Sequence, residues 1–163
     1  MIINQQYYIH LKMILIKKIS ATDTYGIRLE ELRKNIPLPH EFNRDFDETT
    51  FHLGAFKNDK LIAVSSYMKV NNNNFSGEQY QLRGVATLYK YQGFGVAKLM
   101  MQEAFFILKE LKNNYLWCNA RVSAVDFYKK QGFKTFGDKF EIKYVGDHYV
   151  MFKELFNESR LTD

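Results

Sequence analysis

The apolar run Met13-Ile14-Leu15-Ile16 opens the first recognisable element, a strand predicted over Met13–Ser20. A helix signal follows at once. Thr22 or Asp23 is positioned to cap a helix reaching about Lys34, with Ile27 and Leu32 turned inward and Leu29 a further candidate. Pro37 and Pro39 then share a loop with Asn35 and His40. Phe51–Lys57 and Lys60–Val70 read as the two arms of a hairpin turning at Asn58-Asp59. The run Asn71–Asn74, followed by Ser76-Gly77, makes a second break, and Gln79–Leu88 alternates well enough to be another strand. From there the period changes. Val96, Leu99, Met100, Ala104, Ile107, Leu108 and Leu111 form the stripe of an amphipathic helix.

Tyr115–Ala120 is a short aromatic-rich strand. Ser123 is expected to open a further helix, with Asp126 as its capping-box partner and Gly132 closing it at the C′ position. Phe133–Tyr144 and His148–Leu155 make a final pair of strands turned by Val145-Gly146-Asp147. The order is strand, helix, three strands, helix, strand, helix, two strands. A strand–helix–strand unit over residues 79–120 requires two parallel strands joined by a right-handed crossover. The expected class is mixed α/β (α+β): one mixed, partly parallel sheet with helices on both faces.

A chain of 163 residues is one domain by length. Hydrophobic residues at 46% and charged residues at 25% supply one core and exclude global disorder. Residues 13–157 are expected to be that domain, 1–12 an extension the fold does not need, and 158–163 a tail. Cys118, the single cysteine, rules out an internal disulfide and with it a stapled secreted scaffold.

The charge of +5 comes from Lys and Arg spread along the chain, with basic runs no longer than pairs such as Lys17-Lys18 and Lys129-Lys130. A nucleic-acid binder concentrates such charge, so no nucleic-acid partner is expected. A mildly basic field does suit an anionic, nucleotide-bearing cofactor. No apolar run approaches the roughly 18 residues of a membrane span. The stretch Met1–Ile16 is interrupted by Gln5, Gln6, His10 and Lys12 and lacks a small-residue cleavage site, so it is not read as a signal peptide. The expected location is cytoplasmic, with no membrane partner.

The chemistry lies in Tyr91-Gln92-Gly93-Phe94-Gly95-Val96-Ala97, between a strand and a helix. Two glycines there let backbone N–H groups face a ligand without a Cβ in the way. The positive end of the following helix favours an anion. There is no G-x-x-x-x-G-K-[ST], which excludes a P-loop hydrolase. A dinucleotide fingerprint needs glycine or alanine where Lys98 stands, and an acidic end to the next strand, which Tyr115–Ala120 lacks.

The segment Gln92-Gly93-Phe94-Gly95-Val96-Ala97 resembles the acetyl-CoA-binding signature Q/R-x-x-G-x-G/A of the GNAT superfamily of acyl-CoA N-acyltransferases. Leu82-Arg83-Gly84-Val85-Ala86-Thr87 is similar to that family's cofactor strand, with Thr87 the usual interval before Gln92. Downstream, Asn119-Ala120-Arg121 precedes Ala124, Phe127-Tyr128 and Gly132-Phe133, similar to the family pattern A-x-x-F-Y-x-x-x-G-F. The specific likeness covers 79–133. A looser one runs from Ile27-Arg28 through Thr50–Phe56 to His148–Met151, departing at Asp147, where the related subfamily would have proline.

The resemblance implies a single N-acetyltransferase domain that moves an acetyl group from acetyl-CoA to a primary amine of a small molecule or peptide by direct attack in a ternary complex. By the same resemblance, the backbone N–H groups of Gln92, Gly93, Phe94, Gly95, Val96 and Ala97 hold the diphosphate. The strand at Val85, Ala86 and Thr87 pairs with the pantetheine, an N–H near Val85 faces the thioester oxygen, and Asn119 anchors a cofactor amide. Tyr128 is the implied general acid. The base stays open among His148, Glu141, Glu78 and Asp126, with His148 best placed by intrinsic pKa.

Other residues have plainer readings. His52, alternating between Phe51 and Leu53, reads as a sheet histidine satisfied by its neighbours, and Cys118 beside Trp117 as a core thiol. There is no H-E-x-x-H and no cysteine pair, so no metal is expected. Arg28, Arg33 and Arg121 stay open between contacting an acidic substrate and meeting water. Acceptor choice is expected in the first helix, the Pro37–Pro39 loop and the last hairpin. The alternative reading is a non-catalytic acyl-CoA-binding sensor on the same cradle. Oligomeric state is open, a homodimer included.

Overall fold

The computed structural model describes residues 13–156, so the expected extension and tail lie outside the described residues. Its elements are β1 (Ile14–Ile19), α1 (Tyr25–Leu32), β2 (Phe51–Lys57), β3 (Lys60–Met68), β4 (Gln79–Thr87), α2 (Val96–Glu110), β5 (Tyr115–Arg121), α3 (Val125–Lys130), β6 (Lys134–Ile142) and β7 (Gly146–Glu154). The strands form one sheet in the order β1-β2-β3-β4-β5-β7-β6. Every pairing is antiparallel except that of β4 with β5, the pair expected to be parallel. In the last hairpin it is β7 that lies against β5, from Tyr115 opposite Glu154 to Arg121 opposite His148, which leaves β6 as an edge.

Alternation along β3 sorts the two faces. Val64 packs with Ile27 of α1 and with Ala86, while Ala63 packs with Val96 and Met100 of α2. Ser66 bonds to Arg28 on the α1 side, and Tyr67 joins Met101, Leu108 and Tyr128 in the main core on the other. Helices thus cover both faces, one on the first and two on the second.

Local chemistry accounts for most boundaries and for three corrections. Asn58 and Asp59 both have positive φ, 48° and 62°, as a tight hairpin turn requires. Gly132, at φ 89°, ends α3 with the paired bonds Phe133 N–H to Tyr128 C=O and Gly132 N–H to Lys129 C=O. The first helix is not capped by Thr22 or Asp23 alone. Ser20 and Asp23 bond reciprocally, with Ser20 N–H to Asp23 Oδ2 at 2.9 Å and Asp23 N–H to Ser20 Oγ at 3.3 Å, ahead of a 3-10 turn over Thr22–Thr24.

The Ser123–Asp126 capping box does not form. β5 runs on to Arg121 and a 3-10 turn spans Val122–Ala124, so α3 starts at Val125 without a side-chain cap. The helix faces also differ from the expected stripes. Leu29 is 51% exposed while Arg28 is fully buried, and Leu111 is 55% exposed while Met101 is fully buried. Met101 has the apolar surface the core needs. Arg28 is buried because it has a partner, described below.

Candidate active site

β4 and β5 are paired only from Gln79–Gln81 to Tyr115–Trp117. Past that point β4 carries a bulge: Ser66 lies opposite Arg83 and Val64 opposite Ala86, so Ser65 alone faces both Gly84 and Val85. Gly84 sits at φ 62°, a conformation open to glycine and strained for other residues. The bulge turns Arg83 and Gly84 toward Phe42 and the α1 side, while Val85 packs into the α2–α3 core. The strands part here, and a cavity of about 410 Å³ opens between them. Its walls come from both faces of the sheet. Leu82, Cys118 and Tyr128 line it on the α3 side, and Arg33, Phe42, Arg83, Arg121 and His148 on the α1 side.

At the far end of β4 the chain enters the glycine loop. Gln92 folds back so that its Nε2 donates to the Thr87 carbonyl at 2.9 Å. Glu31 of α1 reaches across to accept from Tyr89 N–H at 3.0 Å, tying α1 to this loop. Gly93 and Gly95 both lie at φ 80°, and α2 begins at Val96 without a side-chain cap. The N–H groups of Val96, Ala97 and Lys98 therefore have no carbonyl one turn back inside the helix. Positive dipole and donors without helical partners coincide just past the exposed residues Gln92, Gly93 and Phe94, an arrangement suited to an anion.

Tyr128 is buried and lines the cavity, packed edge-on against Phe127 and Phe133, and no described residue bonds to its hydroxyl. Burial, with the nearby Cys118 and Tyr67 adding to it, pushes its pKa well above the usual phenol value. The proton is held at neutral pH. Cys118 is buried too, and burial raises its thiol far from any thiolate. Asn119 is exposed on the cavity wall, on the β5 face opposite to Cys118 and Ala120.

Among the four candidate bases, only His148 lines the cavity. Its ring is buried, and Nδ1 lies 2.6 Å from the Gly146 carbonyl, which can only accept. Nδ1 thus carries the proton, and Nε2 of the neutral ring keeps its lone pair. Glu141 and Asp126 are exposed and off the cavity, and exposed Glu78 is paired with Lys69 at 2.7 Å.

The three arginines separate. Arg28 grips Asp45 with two bonds of 2.7 and 2.9 Å and donates to Ser66 Oγ at 2.7 Å. His52 completes a closed ring, with Nδ1 2.7 Å from Ser66 Oγ and Nε2 2.9 Å from the Asp45 carbonyl, so it is the satisfied sheet histidine expected. Arg33 and Arg121 line the cavity instead. The first helix, Leu38 of the proline loop, and Ile142 and Val145 of the last hairpin also meet there, whereas Asn71–Asn74 do not. Sequence reasoning missed Phe42, Asp45 and Glu31, and saw Arg83 only as part of a strand motif. No periodicity marks a loop aromatic or carboxylate that finds its partner through tertiary packing.

Among the described residues no helix is long and apolar enough to cross a membrane. Residues 9–154 match the family model described as an acetyltransferase (GNAT) domain. An uncharacterized N-acetyltransferase of Bacillus subtilis (strain 168), YitI, is 34% identical over 145 residues, covering 88% of this chain and 97% of that protein. The fold is shared with Escherichia coli ElaA, at a TM-score of 0.72 and 17% identity, over 87% of this chain and 100% of that one. It is shared as well with an acyl-CoA N-acyltransferase from Pseudomonas aeruginosa, at a TM-score of 0.70 and 16% identity, over 86% of this chain and 99% of the other. With the split sheet, the glycine loop and the family match in agreement, the chain belongs to the GNAT family of acetyltransferases.

Proposed function

We propose that this acyltransferase carries an acetyl group from acetyl-CoA to a primary amine of a small molecule or peptide, by direct attack within a ternary complex. The observation that carries the reading is the cleft through the sheet, with a donor-rich loop beyond one end and the protonated Tyr128 in its wall. In this reading the N–H groups from Gly93 to Ala97 hold the diphosphate, whereas that of Gln92, expected to join them, is already donated to the Tyr89 carbonyl at 3.2 Å. The unpaired edge at Val85, Ala86 and Thr87 satisfies the two pantetheine amides, which otherwise lose their water partners on binding. An N–H near Val85 faces the oxygen that becomes an oxyanion, a contact whose loss typically costs about 10²–10³ in rate. Asn119 anchors a cofactor amide at the cleft wall.

The amine must lose a proton before it attacks, and His148 Nε2 is the acceptor the geometry favours. Collapse of the tetrahedral intermediate expels a thiolate. Its parent thiol has a pKa of about 8.5, well below that of Tyr128, so complete proton transfer from the phenol is uphill. Tyr128 therefore acts chiefly by donating a hydrogen bond to the leaving sulfur. An acyl-enzyme route would need a thiolate at Cys118, which burial prevents.

Mixing the protein with acetyl-CoA and a panel of amines, and following free thiol, tests the proposal. Amine-dependent thiol release is expected. Tight acetyl-CoA binding without release on any amine would instead make the chain a sensor on the same cradle.

A further inference from the structure

We infer that the amine acceptor carries an anionic group, a carboxylate or a phosphate, held by Arg33, Arg83 and Arg121 on the α1 side of the cleft. The inference deepens the acyl-transfer reading and rests on it.

Three guanidinium groups line the cavity, and among the described residues no Asp or Glu does. Asp45, the carboxylate behind this wall, is taken up by Arg28 with both its oxygens. Arg33 spends two donors on carbonyls, Nε to Pro39 at 2.9 Å and Nη1 to Leu32 at 3.1 Å, and has no ion pair with a described residue. Neither Arg83 nor Arg121 has a side-chain hydrogen bond or ion pair with any described residue.

One aromatic ring gathers the charges. The Phe42 centroid lies 3.9 Å from the Arg28 guanidinium carbon, 4.1 Å from that of Arg83 and 5.7 Å from that of Arg33. The ring's negative face eases their proximity without neutralising them. Burial first, then the charges of Arg121 and Arg28, depress the pKa of Arg33. Burial first, then Arg28 and Arg33, does the same for Arg83. Like charges held together in a half-buried wall are relieved by a bound anion, and the planar forks suit a carboxylate or phosphate.

That anion is not the donor's diphosphate. No residue of the loop 88–97 lines the cavity, and the arginines face the α1 side. Acceptors bearing several positive charges are repelled.

The test uses the full-length protein saturated with acetyl-CoA. The acceptors are ω-amino carboxylates of graded chain length, each matched with its neutral ω-amino amide, and ω-amino alkyl phosphates matched with ω-amino alcohols. The charged member of at least one matched pair is expected to release thiol with a kcat/KM roughly ten- to a hundredfold higher, mostly through KM. Whichever series shows the gap tells carboxylate from phosphate. R83Q and R121Q should each narrow that gap about tenfold, and R83K should restore part of it. Equal or better turnover of the neutral members, or of a polyamine, would overturn the anion site and leave acyl transfer standing. If no amine releases thiol, calorimetric titration of the CoA-saturated protein with the same pairs decides the matter. Binding confined to the charged members would uphold the anion site while the transfer reading falls, and equal or absent binding would overturn the site as well.

Discussion

Arg28 and Asp45 form a fork-to-fork ion pair with both side chains sealed from water, at 0% and 1% exposure. The pair joins α1 to the loop before β2 and fixes Phe42, whose N–H also donates to Asp45 Oδ2 at 2.8 Å. Arg28 Nε finds no hydrogen-bond partner among the described residues and lies near Gly84, under the Phe42 ring. Removing one member of such a pair strands the other charge, at a cost of about 3–5 kcal/mol. Asp45→Asn is therefore expected to lower the melting temperature by roughly 10 °C. Asp47→Asn, which breaks the exposed Arg44–Asp47 pair, should cost less than about 1 kcal/mol. Thermal melts of the two variants beside the parent check the contrast.

The ring through Ser66 and His52 makes stability depend on pH. Burial, the largest cause, lowers the His52 pKa below its usual 6.5. Burial would raise Asp45, but the bonds from Arg28 and the Phe42 N–H, with the Arg28 charge, outweigh it and leave its pKa below 3.8. Both groups bind protons more readily in the unfolded chain, so stability rises with pH. It is fully present above 6.5, falls as pH drops below that value through His52, and falls again below 3.8 through Asp45. His52→Gln should remove the first decline and keep the second. Urea melts across this range are the measurement, and an unaltered first decline in the variant would contradict the assignment.

The bulge at Gly84 offers a steric test. A Cβ there would meet Phe42 at 2.8 Å and Arg28 Nε at 3.0 Å, at a φ of 62°. At Gly93 a Cβ would meet nothing within 4 Å, although φ is 80°. Gly93→Ala is expected to cost only backbone strain, roughly 1–2 kcal/mol. Gly84→Ala adds a clash with two groups that shape the cleft, so it should be the more destabilising and should also weaken acceptor saturation. Melting curves and acceptor KM, read together, decide it.

Tyr128→Phe keeps the ring packing against Phe127 and Phe133 and removes the proton from the cleft wall. Turnover should fall roughly 10²–10⁴-fold, while the acetyl-CoA dissociation constant stays nearly constant. Stopped-flow thiol release with calorimetry separates the two quantities. Unchanged turnover would move the proton-donor role elsewhere.

The sequence revealed these features unevenly, and the pattern has physical causes. Strands such as Phe51–Lys57 and the start of α2 at Val96 were legible because alternation, turn residues and glycine positions act locally. Gly132 was legible for the same reason. Ser20 as partner of Asp23 was missed because Thr22 and Asp23 compete for the cap in sequence, and only the 3-10 turn decides between them. Arg28 stays open in the sequence between an acidic substrate and water because its partner Asp45 lies 17 residues away in the loop before β2. Arg83 is visible in the sequence only as part of a strand motif, because the bulge that redirects it depends on pairing with β3. The glycine loop and Tyr128 were visible through their resemblance to a family; the arginine wall needed the fold.

The central claim is that donor and acceptor meet through the gap between β4 and β5, with Tyr128 beside the sulfur. A crystal structure with bound coenzyme A tests it most directly. The account predicts the diphosphate on the N–H groups of residues 93–97 and the thiol within hydrogen-bond reach of Tyr128 Oη, pointing toward Arg83 and His148. A diphosphate seated on another surface, or a thiol directed away from the gap, would contradict it.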